Sequence, residues 1–206
     1  MALVAHEISV SGLMGPLLPP TSMIAEQGEI TVVEGEIGPA ATAFALALAG
    51  RVRLDGGYAM WEHDTHGRTR RDRVALIDLP NVTEPEPRLA VRTVIGQELA
   101  LAEQPSSHQD VDRFLAERDA HDWNRRRWGE APGGTRTGWL ADIAARHPGV
   151  SALVVCHPDR RGGDVEEWAG PVRDLRAEDR VIVVIATPST ARLLGLEDTF
   201  RIGAAS

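Results

Sequence analysis

The sequence contains no lysine, and all 22 of its basic residues are arginines. Any mechanism that depends on a lysine side chain is therefore excluded. The single cysteine, Cys156, excludes an intramolecular disulfide. No apolar run approaches the ~20 residues of a membrane-spanning helix, and the first residues lack the basic and apolar regions of a secretory signal. We therefore expect a cytoplasmic protein that does not insert directly into a membrane.

Basic residues are also few relative to acidic ones. The 30 Asp and Glu residues give the 206-residue chain a formal net charge of -8. A nucleic-acid-binding protein normally carries a basic stripe, and adsorption to anionic lipid also requires positive charge. This balance argues against both classes. Hydrophobic residues make up 43% of the chain, enough to bury the core of one domain over residues 1–206.

Short apolar runs alternate with helical patterns, which predicts an α/β fold. Residues 152–156 form a continuous apolar run, and residues 180–186 contain the apolar run Val-Ile-Val-Val-Ile, as expected of buried parallel strands. The stretch from about 90 to 147 is helical in pattern and carries three predicted helices. We therefore expect a helical subdomain inserted between two β-containing parts.

The first sixty residues predict β structure. Residues 2–10 alternate loosely and predict an edge strand, and the glycine- and proline-rich residues 12–20 predict a turn. The Asp55-Gly56-Gly57 segment predicts a hairpin between Val52 and Tyr58.

A glycine loop follows the apolar segment 29–34 and precedes an alanine-rich helix. This order matches the phosphate-binding pattern G-x-x-x-x-G-K-[ST] only in part. Gly35 takes the first glycine position and Thr42 the Ser/Thr position, and Gly38 lies between them. Ala40 takes the second glycine position, and Ala41 takes the lysine position.

Later segments follow in an order that one family shares. Leu89-Ala90-Val91-Arg92 opens the helical stretch, Ala131-Pro132-Gly133-Gly134 precedes its last helix, and Cys156-His157-Pro158 ends an apolar run. With the glycine loop, these segments resemble the nucleotide-binding domain of an ATP-binding cassette (ABC) transporter over nearly the whole chain. The resemblance implies a P-loop NTPase-like core with an N-terminal antiparallel β part and an inserted helical subdomain.

Within this resemblance, the residues that would hydrolyse ATP are replaced. Ala41 lacks the lysine charge that contacts the phosphates, and Cys156, in the magnesium-binding aspartate position, is a poor ligand for a hard ion. His157 replaces the catalytic glutamate, Pro132 replaces the signature serine, and no histidine stands at the switch position, 187 or 188. We therefore expect no catalytic residues, no metal site, and weak or absent binding of ATP and magnesium.

The resemblance implies a non-catalytic structural or regulatory subunit. Its partner would be an integral membrane protein or another ABC-type subunit, at the inner face of the membrane, and a dimer is also expected. One alternative is a slow ATPase that uses His157 or Asp159 as the base and Thr42 for the metal. Another is a soluble interaction domain or a sensor of small anions. Cys156 and His157 as a catalytic pair are disfavoured, because adjacent strand residues point to opposite faces.

Three of the five tryptophans, Trp123, Trp128 and Trp139, lie in the helical stretch. They form either a local core or a docking surface, since tryptophan is enriched at binding hot spots. In the family, this subdomain and the neighbouring glutamine loop, which begins near Asp78, receive the coupling helices of the membrane subunit. The run of arginines at 125–127 is interpreted either as an anion-binding site or as a solvated face.

Overall fold

The computed structural model describes residues 1–13, 15–176, 179–195 and 199–204. Within them the strands, in chain order, are β1 (Ala2–Gly12), β2 (Gly15–Glu26), β3 (Ile30–Glu34), β4 (Gly56–Trp61), β5 (Val74–Ile77), β6 (Ala152–Cys156), β7 (Val181–Ala186) and β8 (Thr199–Arg201). The α-helices are α1 (Pro39–Leu48), α2 (Gly67–Arg73), α3 (Val91–Leu101), α4 (His108–Ala116), α5 (Gly133–Ala145), α6 (Glu166–Arg176) and α7 (Pro188–Leu193). Short 3₁₀ helices span His121–Trp123, Trp128–Glu130 and Pro158–Arg161.

The strands form two sheets. An antiparallel sheet has the order β2-β1-β4, and a parallel sheet has the order β5-β6-β7-β3-β8. The predicted α/β fold is therefore confirmed, including its antiparallel N-terminal part. β6 and β7 lie at the centre of the parallel sheet and are buried along their whole length, as their continuous apolar sequences predict.

The two faces of the parallel sheet carry separate cores, because successive residues of a strand point to opposite sides. Val155 and Val184 pack on the face that α3, α5 and α6 cover, whereas Val154 and Val183 pack on the face toward α1 and the antiparallel sheet. All the described helical structure from 91 to 145 lies between β5 and β6 in the chain. None of the described helices has the length and apolar character needed to span a membrane.

Two local predictions for the antiparallel sheet were wrong. β1 is the central strand and not an edge, and the predicted turn at 12–20 extends too far, because β2 begins at Gly15. β2 contains prolines at 16, 19 and 20, which lack an N–H donor, and it tolerates them because it lies at the edge of its sheet.

The predicted hairpin before Tyr58 is also corrected. β4 pairs with β1, with Leu3 opposite Trp61 and Ala5 opposite Ala59. Gly57 has a φ of 67°, and a Cβ there would lie 2.2 Å from the carbonyl oxygen of His6. The glycine pair therefore allows β4 to approach the irregular part of β1 closely, and it does not form a tight hairpin turn.

Candidate functional site

The loops that follow the parallel strands meet at one edge of the sheet. Gly35 follows β3, Asp78 follows β5, His157 follows β6 and Thr187 follows β7. In open α/β sheets, ligands bind beyond the carboxyl ends of the strands. This edge is therefore the candidate site, and the structure brings together there the glycine loop and the Cys156-His157 segment singled out in the sequence.

Helix α1 begins before the end of the segment that matches the phosphate-binding pattern. α1 starts at Pro39 with Gly38 as its N-cap, whereas the second glycine position of the pattern is Ala40. In the pattern G-x-x-x-x-G, backbone N–H groups between the two glycine positions cradle phosphates. Pro39 lies in that segment and contributes no N–H donor.

The residues matched to the end of the pattern lie inside α1. Ala41, in the lysine position, is 2% exposed and packs in the core beside the antiparallel sheet. The Thr42 hydroxyl donates to the carbonyl oxygen of Gly38 at 3.2 Å, one turn back in the helix. Ala40, in the second glycine position, is the second residue of the helix. Ala40 and Ala41 therefore both lie in the first turn of α1, where proline is favoured at the first position.

Carboxylates surround the glycine loop. Glu36 is exposed within it, and Glu34 precedes it, largely buried. The carboxylate of Glu34 accepts hydrogen bonds from Arg201 Nη2 at 2.8 Å and from Thr199 Oγ1 at 3.1 Å. The bond from Arg201 lowers the pKa of Glu34. The positive charge of Arg201 is therefore committed to Glu34, and Glu36 adds a negative charge that opposes a phosphate.

A buried ion network occupies the edge after β5. Asp78 is 1% exposed and accepts hydrogen bonds from Arg160 Nη2 at 2.8 Å, Arg161 Nη1 at 2.7 Å and Thr137 Oγ1 at 3.1 Å. Arg160 and Arg161 also form ion pairs with Glu84. Burial would raise the pKa of Glu84, but the two guanidinium groups lower it. The network joins the loops after β5 and β6 to α5.

The side chain of His157 has free hydrogen-bonding capacity at this edge. Its side chain is 2% exposed, and neither ring nitrogen has a hydrogen-bond partner among the described residues. Burial lowers the pKa of His157, so the neutral ring is favoured. Its neighbour Cys156 is also buried, and burial raises the pKa of that thiol. A neutral thiol is a weak nucleophile, which removes the basis for a Cys156–His157 catalytic pair.

Asp159 lies beside His157, with 3.8 Å between Oδ1 and the histidine Nδ1. Its Oδ2 atom accepts hydrogen bonds from the hydroxyls of Thr187 at 2.6 Å and Thr190 at 2.7 Å. Burial would raise the pKa of Asp159, but these bonds hold it below its ordinary value. Asp159 Oδ1 has no hydrogen-bond partner among the described residues. The pair can exchange a proton with a bound molecule only if that molecule reaches a buried position.

The signature-like glycines pack against the chain itself. Gly133 and Gly134 are the first residues of α5. A Cβ on Gly133 would lie 2.9 Å from the Cβ of Arg161, and one on Gly134 would lie 2.5 Å from the Cβ of Glu167. Their small size therefore lets the start of α5 approach the loop after β6 and helix α6.

The tryptophans occupy different environments. Trp128 is 0% exposed and Trp139 is 5% exposed, and their ring centroids are 6.0 Å apart. The interpretation as a docking surface is therefore wrong for Trp128 and Trp139, because both side chains form part of the core. Trp123 is partly exposed, and the guanidinium of Arg126 lies 4.7 Å from its ring centroid.

A groove of about 860 Å³ runs between the edge strand β5 and helices α3 and α5. Leu89, Leu101 and Leu140 line it with β5 residues, and Val82 lies at its border. Leu101 is 72% exposed and Val82 is 50% exposed. Glu98 also lines the groove, and burial raises its pKa. The sequence predicted docking in this region, but on the tryptophans and not on these residues.

No group of three or more His, Cys, Asp or Glu side chains with metal-binding geometry occurs in the part of the chain that the structure describes. The carboxylates at this edge already have other partners. Asp78 and Glu34 form ion pairs with arginines, and Asp159 Oδ2 accepts hydrogen bonds from hydroxyl groups. A hard cation would have to displace those partners.

No protein-family model and no curated protein matches the chain. Solved structures do match it. A nucleotide-free ATP-binding cassette from an ABC transporter gives a TM-score of 0.71 at 14% identity, over 98% of this chain and 88% of that one. A dimeric ATP-binding cassette in a post-hydrolysis state, bound to ADP and Pi, gives 0.67 at 14% identity over 92% and 90% of the two chains. CbiO1 from Clostridium perfringens, part of the ABC transporter complex cbiONQ, gives 0.61 at 13% identity over 90% and 77%. The chain therefore has the fold of an ABC transporter ATP-binding cassette.

Proposed function

We propose that this chain, which has the fold of an ATP-binding cassette, is a non-catalytic subunit of a membrane complex. It would lie at the cytoplasmic face and act as a structural or regulatory partner of an integral membrane protein or of another cassette subunit. ATP and magnesium would bind weakly or not at all.

The observation that carries this proposal is the loop between β3 and α1. A cassette that hydrolyses ATP needs a lysine charge and backbone donors around the phosphates. In this chain the matching side chain, Ala41, is in the core, and Pro39 removes one backbone donor from the matched segment. Loss of one charge-assisted hydrogen bond alone weakens binding by about 1.5–3 kcal/mol.

The ion network gives independent support. Asp78 follows β5, Arg160 and Arg161 follow the neighbouring strand β6, and their charges pair with one another. These side chains are therefore engaged in ion pairs with one another and are not free to orient a metal ion or a water molecule. Breaking such a network leaves buried charges without partners, which costs about 3–5 kcal/mol. A nucleotide that needed these side chains would have to offset that cost.

The groove beside β5 supports a partner role. Leu101 and Val82 present apolar side chains to solvent at a concave surface. An amphipathic helix places its apolar face into such a groove. The resemblance implies that a membrane subunit inserts a coupling helix in this region, and the groove is the surface we assign to it.

Calorimetric titration of the purified chain with magnesium-ATP tests the first half of the proposal. We expect no saturable heat, and no phosphate release in a coupled assay. Ala41→Lys should not restore binding, because it buries an ammonium group in the core, whereas Glu36→Lys adds a cation on the exposed loop without that cost. Micromolar binding with turnover by the unaltered chain would refute a non-catalytic role.

The partner role is tested by co-purification from detergent-solubilised membranes of the native cells. Leu101→Asp should abolish recovery of the membrane protein, because it places a charge in the groove. Leu193→Asp is the matched control, since Leu193 is 73% exposed and does not line the groove. Equal recovery by both variants would remove the groove from the interface.

One observation favours a second function, a slow ATPase. The free ring nitrogens of His157 lie beside Asp159, at the place where a base would activate water. In that case any residual ATP hydrolysis should vanish in His157→Asn. Hydrolysis that persists unchanged in this variant would come from a contaminant or from another base.

A further inference from the structure

Five arginines are collected on two adjacent segments of the chain. Residues 88–92 run antiparallel to residues 124–128, joined by backbone hydrogen bonds from Trp128 N to Leu89 O at 2.7 Å and from Val91 N to Arg126 O at 2.9 Å. Ala90 and Arg127 form the bridge between them. This pairing brings together residues that are distant in sequence. We call the set the arginine patch: Arg88, Arg92, Arg125, Arg126 and Arg127.

The arginine patch is exposed and carries uncompensated charge. All five side chains are exposed, and none of them forms an ion pair with any described residue. By contrast, Arg160 and Arg161 form ion pairs with Asp78, and Arg201 forms one with Glu34. The acidic residues that flank these segments, Glu86, Asp122 and Glu130, form no ion pair with a described residue either. A cluster of free cations is thus maintained in a chain of net charge -8.

The backbone beneath the arginine patch is held rigidly. Trp128 is completely buried and anchors one end, and Asn124 donates to the carboxylate of Asp112 on α4. Arg126 stacks over Trp123, which restricts its guanidinium. A surface whose groups are already ordered loses less entropy on binding a partner.

We propose that the arginine patch binds an acidic segment of a partner protein through its carboxylates. The guanidinium group is a planar fork that matches a carboxylate in a bidentate pair. A partner of this kind places separate carboxylates opposite separate arginines, which fits a patch flanked by Glu86, Asp122 and Glu130. A continuous anionic surface of lipid or nucleic acid would also face those three carboxylates, in a chain of net charge -8.

The arginine patch adjoins the groove through Leu89, which lines the groove and lies between Arg88 and the bridge. A partner segment could therefore occupy both surfaces. Binding of an acidic segment by the arginine patch requires neither the absence of ATP binding nor a membrane protein, so it does not depend on the proposed function.

Fluorescence anisotropy of a labelled peptide rich in Asp and Glu, titrated with the full chain, is the test. We expect saturable binding that weakens as salt rises from about 0.05 to 0.3 M, since exposed charges are screened. Arg125→Glu with Arg127→Glu should weaken binding at least about tenfold, since loss of even one charge-assisted bond costs about 1.5–3 kcal/mol. Arg53→Glu with Arg68→Glu changes the net charge equally at exposed positions outside the patch and should leave binding unchanged.

Two further measurements make the outcome decisive. Arg125→Lys with Arg127→Lys keeps the charge and removes the fork, so binding should weaken partly. Flotation with phosphatidylserine-containing vesicles should show no association. Equal loss in the patch and control variants, or binding to vesicles but not to the peptide, would overturn the proposal. Leu101→Asp, which tests the groove, should leave peptide binding intact, so the two proposals fail separately.

Discussion

The carboxylate of Asp78 lies 2.8 Å from the guanidinium of Arg160, although 82 positions separate the two residues along the chain. Both side chains are buried, and Arg161 and Thr137 complete the shell around Asp78. The pair connects the loop after the edge strand to the loop after the central strand β6. It therefore holds in one arrangement the edge of the sheet where a cassette would bind its nucleotide.

Replacement of Asp78 by Ala should destabilise the fold by about 3–5 kcal/mol, because Glu84 is then the only described carboxylate that pairs with the largely buried Arg160 and Arg161. Urea unfolding followed by circular dichroism measures the change. Asp122→Asn, at an exposed carboxylate without an ion pair, is the control and should stay within about 0.5 kcal/mol of the original chain. A loss below about 1 kcal/mol for Asp78→Ala would mean that the network is relaxed in solution.

The parallel sheet was predictable because its buried strands can be identified from short segments of sequence. Strands β6 and β7 are buried on both faces, so their sequences are apolar throughout and stand out from any amphipathic pattern. β2 was missed because its prolines indicate a turn unless the strand is known to lie at a sheet edge. That position depends on the pairing of the whole sheet, which no short segment contains.

The candidate site was predictable only in outline. The order of glycine loop, helix and apolar strand placed Gly35 and His157 at the same edge, because parallel strands end together. The partners of Asp78 could not be predicted, since they depend on which strands are neighbours. The helix after the glycine loop was predictable as well, because Gly38-Pro39 is a typical N-cap and first helical residue.

Cys156 should react with a thiol reagent only as fast as the chain unfolds. Its side chain is 1% exposed, and burial raises the pKa of its thiol, so thiolate is scarce in the folded state. Labelling with 5,5′-dithiobis(2-nitrobenzoate) in native buffer and in urea measures the two rates. Fast stoichiometric labelling without denaturant would contradict the buried position and reopen a nucleophilic role.

Gly134→Ala should destabilise the chain by about 1–3 kcal/mol, because the added methyl group would overlap the Cβ of Glu167 where α5 meets α6. Gly170→Ala is a matched control within α6. Nothing lies within 4 Å of a Cβ at that position, so the substitution should stabilise the helix by up to about 1 kcal/mol. Thermal unfolding of both variants measures the difference. Equal behaviour would show that the two helices can separate freely.

Protonation of His157 should make the fold less stable as the pH falls. Burial lowers the pKa of His157 in the folded chain below its ordinary value near 6.5, so the unfolded chain binds the proton more readily. The folded state is therefore favoured fully above about pH 6.5, and stability declines between that pH and the lower folded pKa, by at most about 1.4 kcal/mol per pH unit for one proton. Asp159 titrates at more acidic pH: its lowered pKa stabilises the fold above the ordinary aspartate value, and that contribution is lost as the pH falls through the folded pKa.

His157→Asn isolates this contribution, because asparagine does not titrate and tolerates the left-handed backbone at this position, where φ is 47°. Urea unfolding between about pH 7.5 and 5 should give a flatter profile for His157→Asn than for the original chain. His63→Asn, at an exposed histidine, should reproduce the original profile. If all three profiles coincide, His157 is protonated equally in both states, and a solvent path must reach its ring. Such a path would also give a substrate access to the buried His157–Asp159 pair, which is the condition that the slow-ATPase alternative requires.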